Sequence, residues 1–203
     1  CCGVITAANM RPRRHFTFVS PAIEPHQYAK IYPLRVALAG LSCMRCGLST
    51  LVFTPSRKFC EDVGRTAKRK AEDLGLDPEH IVAYRSGYTA DQRREIEDGM
   101  RNGRYRLVFA TNALEIGIDV GLLDAVILAG FPDSIMSAWQ RIGRAGLSFA
   151  SSAHVLYFAL NNPFDLFMAD NIDLFLSKPL DDLVINLENE EVAKKHVPCL
   201  LWE

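Results

Sequence analysis

The sequence predicts an α/β domain, a mostly parallel sheet with helices on both faces, and three observations carry that expectation. Strand-like apolar runs alternate with stretches of helical period along the chain, the pattern of a sheet whose strands are joined by crossover helices. The runs, such as Leu107-Val-Phe-Ala110 and Ala125-Val-Ile-Leu-Ala129, are near-continuous in apolar residues, as strands covered on both faces must be. With 203 residues, 49% hydrophobic and 23% charged, the chain is long enough to bury one substantial core.

Residues 1–14 show no clear period, and Arg11-Pro-Arg-Arg14 reads as a basic linker. His15 to Val19 alternates as a strand, which Ser20-Pro-Ala-Ile-Glu-Pro25 ends. Ile31, Leu34, Leu38 and Leu41 recur at helical spacing and predict a long helix up to Gly47, with Pro33 confined to its first turn. Thr50 to Thr54 is the next strand; Pro55-Ser-Arg57 turns off its end, with Ser56 suited to cap a helix. That helix turns Phe59, Cys60, Val63, Ala67, Ala71 and Leu74 inward and Lys68, Arg69 and Lys70 outward, and Gly75 stops it.

Ile81 to Tyr84 is a third strand, and Gly87 behind it permits close backbone approach. Thr89-Ala-Asp-Gln92 is a capping box opening a helix with Arg93/Glu97 and Glu97/Arg101 at i,i+4. Arg106 to Ala110 and Ala125 to Gly130 are further strands. Asp133 or Ser134 caps a helix that turns Ile135, Ala138, Trp139 and Ile142 to the core and carries Gln140, Arg141 and Arg144 outward. Val155 to Leu160 completes the sheet. Asn162-Pro163 then starts an acidic helical segment, whose Phe164, Phe167 and Phe175 pack on this sheet or on a neighbour.

Two blocks carry chemistry. The first, residues 110–119, follows an apolar strand, so Thr111 and Asn112 fall where a strand gives way to a helical turn, the edge at which open α/β sheets bind ligands. A helix N-terminus there aims N–H groups at a phosphate, and the Thr111 hydroxyl adds a donor. Gly117 lets the backbone approach a ligand, and Asp119 offers a carboxylate to a ribose or a basic partner. The second block, Gln140-Arg-Ile-Gly-Arg-Ala-Gly146, sets Arg141 and Arg144 three apart on one helix face, with Gly143 and Gly146 leaving space beside them. A guanidinium so held suits the charge on a departing γ-phosphate. The two blocks are expected to share one rim of the sheet.

In this order, about 25 residues apart, the blocks resemble motifs V and VI of superfamily II helicases, in the second of their two RecA-like domains. The run ATNALEIGID…GFPDSIMSAWQRIGRAG is most similar to the MrfA-type (YprA-like) DNA helicases, relatives of the RecQ group. The resemblance covers residues 14 to 203 and implies a three-layer RecA-like fold. Residues 1–14 would link from an N-terminal RecA-like domain, 15–162 would be the helicase C-terminal domain, and 163–203 an acidic helical extension toward a further domain. It also implies the sites. Arg144 approaches the γ-phosphate, and Gln140 or Arg141 senses it. Asp119 lies near the ribose, with Gly117 and Glu115 on the nucleotide side. Thr111, Asn112, Ser56, Arg57, Gly87 and Arg94 hold the nucleic-acid backbone. One departure stands out: the family's motif VI ends Gly-Arg, whose arginine also faces ATP, and this chain has Leu147 there.

Composition bounds this reading. Residues 1–164 carry 20 basic and 15 acidic side chains against 3 and 9 in 165–203, so only the first part has even a mildly nucleic-acid-like surface. The longest weakly charged apolar run, Val36 to Met44, is too short for a bilayer, and no secretory pattern opens the chain. An intracellular protein is expected, cytoplasmic in a prokaryote or nuclear in a eukaryote. The six cysteines form no disulfide framework, and Cys43-Met-Arg-Cys46 lacks the second pair of a metal site, so no metal site is expected.

No Gly-x-x-x-x-Gly-Lys-Ser/Thr and no Asp-Glu metal box occur. The cofactor the resemblance implies, ATP with Mg2+, would therefore need a partner RecA-like domain, and the chain alone should not hydrolyse ATP. The expected activity is that of the C-terminal motor domain of an ATP-dependent DNA helicase. Its partners would be single-stranded or partly duplex DNA, with RNA left open, and the N-terminal RecA-like domain. The alternative, motivated by Leu147, is a catalytically impaired RecA-like binding or scaffold module.

Overall fold

The computed structural model describes residues 14–19, 25–84, 87–111, 123–146 and 152–177, the side chains of 25–30 excepted, and three single residues beyond. Six strands are described: β1 (Arg14–Val19), β2 (Thr50–Phe53), β3 (Ile81–Tyr84), β4 (Leu107–Ala110), β5 (Ala125–Ala129) and β6 (Ala153–Phe158). They form one sheet in the order β1-β6-β5-β2-β4-β3, and every pairing is parallel. The helices are α1 (Pro25–Arg45), α2 (Arg57–Asp73), α3 (Ala90–Arg101), α4 (Ile135–Ile142), α5 (Pro163–Asp170) and α6 (Ile172–Ser177), with a short 3-10 turn at Pro78–His80.

The apolar runs are continuous because both faces are covered. Every residue of β2, β4 and β5 is buried. Their alternation sorts them into two cores: Val52, Leu107, Phe109 and Ile127 meet Val36, Leu41, Cys60, Val63 and Ala67 of α1 and α2. Leu51, Phe53, Val108, Val126 and Leu128 meet Ile96, Met100, Ala138, Ile142, Met168 and Phe175 of α3 to α6. This is the three-layer arrangement anticipated from the sequence.

The local signals held where their partners are close in sequence. Ser56, Ser134 and Asn162 cap α2, α4 and α5, and Thr89 and Gln92 close the capping box of α3. Gly75, at φ 68°, ends α2 in a Schellman motif, with Leu76 N–H donating to Ala71 C=O and Gly75 N–H to Glu72 C=O.

Four expectations are corrected. Pro33 lies in the interior of α1, which begins at Pro25, not in its first turn. Leu38 is exposed, because α1 turns Tyr32, Val36, Ala37, Leu41 and Met44 inward instead. Leu74, the C-cap of α2, is also exposed. The last strand begins two residues earlier than expected and ends at Phe158, since Arg14 pairs with Ala153. Trp139 packs as expected, half-buried and stacked on Phe175 at 5.3 Å between ring centroids. Phe175 is buried, while Phe164 and Phe167 are about half exposed.

Candidate nucleotide and nucleic-acid interface

All strands being parallel, their C-terminal ends share one rim. The order β2-β4-β3 brings four of the expected grip positions side by side there: Ser56 and Arg57 after β2, Thr111 after β4 and Gly87 after β3. β2 and β5 are neighbours, yet the helices that follow them, α2 and α4, pack on opposite faces of the sheet. Such a divergence marks the place on the rim where open parallel sheets take ligands.

The rim is tied together by polar bonds. Thr54 donates its backbone N–H (2.7 Å) and its hydroxyl (2.9 Å) to Ala110 C=O, joining the ends of β2 and β4. Thr111 is buried, and its N–H reaches Tyr84 C=O at 3.4 Å. Behind β3, Tyr84 is buried and donates its hydroxyl to Glu97 of α3. Burial first, and then the hydrogen bond to Glu97, push the Tyr84 phenol up to about 12. Tyr88 packs edge-on against Tyr84 and donates to Ala83 C=O, so the turn at Gly87, with φ 111°, rises from a braced base.

Ser56 has the structural role its position allows: extended at φ −152°, its Oγ accepts the Phe59 N–H at 3.2 Å. Arg57 is the exposed first residue of α2. Arg94 is exposed on α3, one guanidinium nitrogen 3.8 Å from Asp91. Asn112, Glu115, Gly117, Asp119 and Leu147 lie outside the described residues.

The second block departs from expectation in two ways. Arg141 is buried, 5% exposed, with its guanidinium carbon 5.3 Å from the Phe53 ring centroid, so it faces the sheet and not the solvent. Gln140 is exposed as foreseen. Arg144 follows the Gly143 C-cap of α4, its N–H donating to Arg141 C=O at 3.1 Å. It is half-buried and has polar partners.

Its turn is also not on the rim. Ala145 bridges Leu123 in parallel fashion, and Gly146 N–H donates to Leu123 C=O at 2.9 Å, which puts the turn beside the start of β5. The backbone of the Arg144 turn is thus at the opposite end of β5 from the rim, roughly 16 Å along the strand at a strand's rise per residue. Arg141 reaches from the last turn of α4 to the last residue of β2.

Among the described residues no cluster of three or more His, Cys, Asp or Glu side chains could hold a metal ion. Cys43 is buried, which pushes its thiol up, while Cys46 is exposed. No described helix is long and apolar enough to cross a membrane. Sequence reasoning missed Phe53, Thr54 and a third contributor, Asp165, whose carboxylate holds the loop before α4. Asp165 did leave a signal: it stands three residues after the Asn162 cap.

Residues 34–147 match the family described as Helicase conserved C-terminal domain. The chain is 40% identical over 156 residues to the ATP-dependent helicase hrq1 of Schizosaccharomyces pombe, covering 76% of this chain and 15% of that protein. It is 31% identical over 194 residues to the ATP-dependent helicase YprA of Bacillus subtilis, covering 94% and 26%. In structure it is similar to the helicase MrfA bound to DNA and AMPPNP, with a TM-score of 0.81 and 30% identity over 93% of this chain and 26% of that one. The fold is also that of the Mycobacterium smegmatis helicase Lhr, at a TM-score of 0.72 and 24% identity. The chain spans about a quarter or less of the length of these curated relatives. A parallel sheet with both faces covered, the two motif blocks and these similarities together establish that the chain belongs to the helicase conserved C-terminal domain family.

Proposed function

We propose that this chain is the C-terminal motor domain of an ATP-dependent DNA helicase, supplying an arginine to ATP and part of the single-strand grip. The observation that carries the reading is the adjacency of the Ser56, Thr111 and Gly87 turns on one rim, coupled through α4 to the Arg144 turn. ATP with Mg2+ would bind against an N-terminal RecA-like domain, which supplies the phosphate cradle and the metal donors. Arg144 would neutralise charge as the γ-phosphoryl group leaves. Ser56, Arg57, Thr111, Asn112, Gly87 and Arg94 would hold the strand by its backbone, with Glu115, Gly117 and Asp119 facing the nucleotide. Arg141, buried against Phe53, would have a positioning role, and Gln140, exposed, would be the residue that senses the γ-phosphate. The MrfA structure bound to DNA and AMPPNP supports both ligands. Nucleotide-driven closure would then move this rim relative to the other domain and step the protein along DNA. DNA-stimulated ATP hydrolysis should be absent from the chain alone and appear when it is joined to its N-terminal motor domain; activity of the chain alone would overturn the division of labour.

Leu147 favours one other reading, a RecA-like binding or scaffold module with impaired catalysis. If Leu147→Arg awakens strong ATPase in an otherwise silent joined protein, the module reading holds. If the parent is already active, it fails.

A further inference from the structure

We infer that Asp165 is a positioning residue for α4, and through it for Arg144, and that α5 and α6 form a bracket for that helix. The inference rests on the reading of Arg144 given above. Asp165 is 2% exposed, in the first turn of α5. Its Oδ1 accepts the Phe131 backbone N–H at 2.7 Å and the Tyr157 hydroxyl, and its Oδ2 accepts the Asn162 side-chain amide at 2.7 Å. A carboxylate buried this deeply stays in place only because its acceptor sites are filled.

The Phe131 bond crosses 34 residues of sequence and falls on the loop between β5 and α4. That loop has little other freedom. Gly130 sits at φ 93°, and a Cβ there would meet Leu160 Cδ1 at 2.6 Å. The Phe131 ring lies edge-on to Tyr157, Phe164 and Phe175, while Phe175 of α6 stacks on Trp139 in the middle of α4. The bracket therefore grips α4 before its start and at mid-length. α4 is only eight residues long and runs directly into the Arg144 turn, so where the helix starts helps set where that turn lies. The side chain the family reading needs at the phosphate is thus set by a carboxylate in the segment following the sheet.

The test is steady-state kinetics on the joined two-domain protein with Asp165→Ala, Asp165→Asn, Tyr157→Phe and Arg144→Ala, each checked for folding by circular dichroism. Asp165→Ala should lower kcat by about 10- to 100-fold with KM for ATP and single-strand affinity within about twofold, the signature of a misplaced transition-state contact. Asp165→Asn keeps an acceptor for the Phe131 N–H, and Tyr157→Phe loosens the same buried cluster without releasing the loop; both should keep kcat within about threefold of the parent. If the alanine variant does not fold, Asp165→Ser, whose hydroxyl falls short of Phe131, takes its place with the same expectation. Parent kcat in a folded Asp165→Ala or Asp165→Ser protein overturns the inference, as does a fall of kcat in all variants that merely follows their loss of melting temperature. Should Arg144→Ala itself leave hydrolysis unchanged, the underlying reading of Arg144 fails, which is a different result.

Discussion

The guanidinium of Arg141 lies over the ring of Phe53, 5.3 Å from its centroid, joining the last turn of α4 to the last residue of β2. Phe53 immediately precedes Thr54, whose hydroxyl and N–H bind the end of β4, so this contact lies between the Arg144 turn and the rim. A desolvated cation–π contact contributes about 2 kcal/mol. Arg141→Lys, which keeps the charge but loses the planar stack, should destabilise the chain in urea by about 1 to 2 kcal/mol. In a double-mutant cycle with Phe53→Leu the coupling should be about 1 kcal/mol or more. Strict additivity would show that the two side chains only happen to be close.

Ser56 has a structural role and a proposed one, and two substitutions separate them. Ser56→Ala removes the acceptor for the Phe59 N–H and should cost about 1 kcal/mol. Ser56→Asp keeps a cap of equal quality but sets a negative charge where a phosphate would lie. It should hold stability and weaken single-strand binding several-fold, more so at low salt. Equal affinity in parent and Ser56→Asp would remove Ser56 from the grip and leave it a cap alone.

Tyr84 predicts a stability change confined to alkaline pH. Its phenol titrates near 10 in the unfolded chain and is pushed up to about 12 in the fold. Between these values the folded protein retains a proton that the unfolded chain has lost, so stability falls as pH rises. The contribution is complete below pH 10 and lost by passage through about pH 12. The stability difference between the parent and Tyr84→Phe should therefore shrink across that window and stay flat from pH 6 to 9. A flat difference throughout would mean that the phenol is neither buried nor held by Glu97 as the structure places it.

These cases show what was legible in the sequence. Strands buried on both faces leave uninterrupted apolar runs, so β2 to β5 could be read directly, and caps such as Ser56 and Thr89 have their partners within three residues. Membership of a face is harder to read. Leu38 fits a helical stripe, but α1 rolls so that Val36 and Ala37 meet the sheet. Arg141 reads as an outward arginine of a polar face, but it is buried against Phe53, while Arg144 three residues on is only half-buried. Strand order and the reach of Asp165 to Phe131 depend on contacts distant in sequence, which no local pattern encodes.

Arg144 carries most of the proposed motor role. Its direct test is the rate of DNA-stimulated ATP hydrolysis by Arg144→Ala in the joined two-domain protein, measured beside single-strand affinity. The expected result is a loss of about 10³-fold or more in kcat, the usual worth of an arginine at a transferring phosphoryl group, with affinity for DNA retained. Hydrolysis at the parent rate, in a variant that still binds DNA, would contradict it.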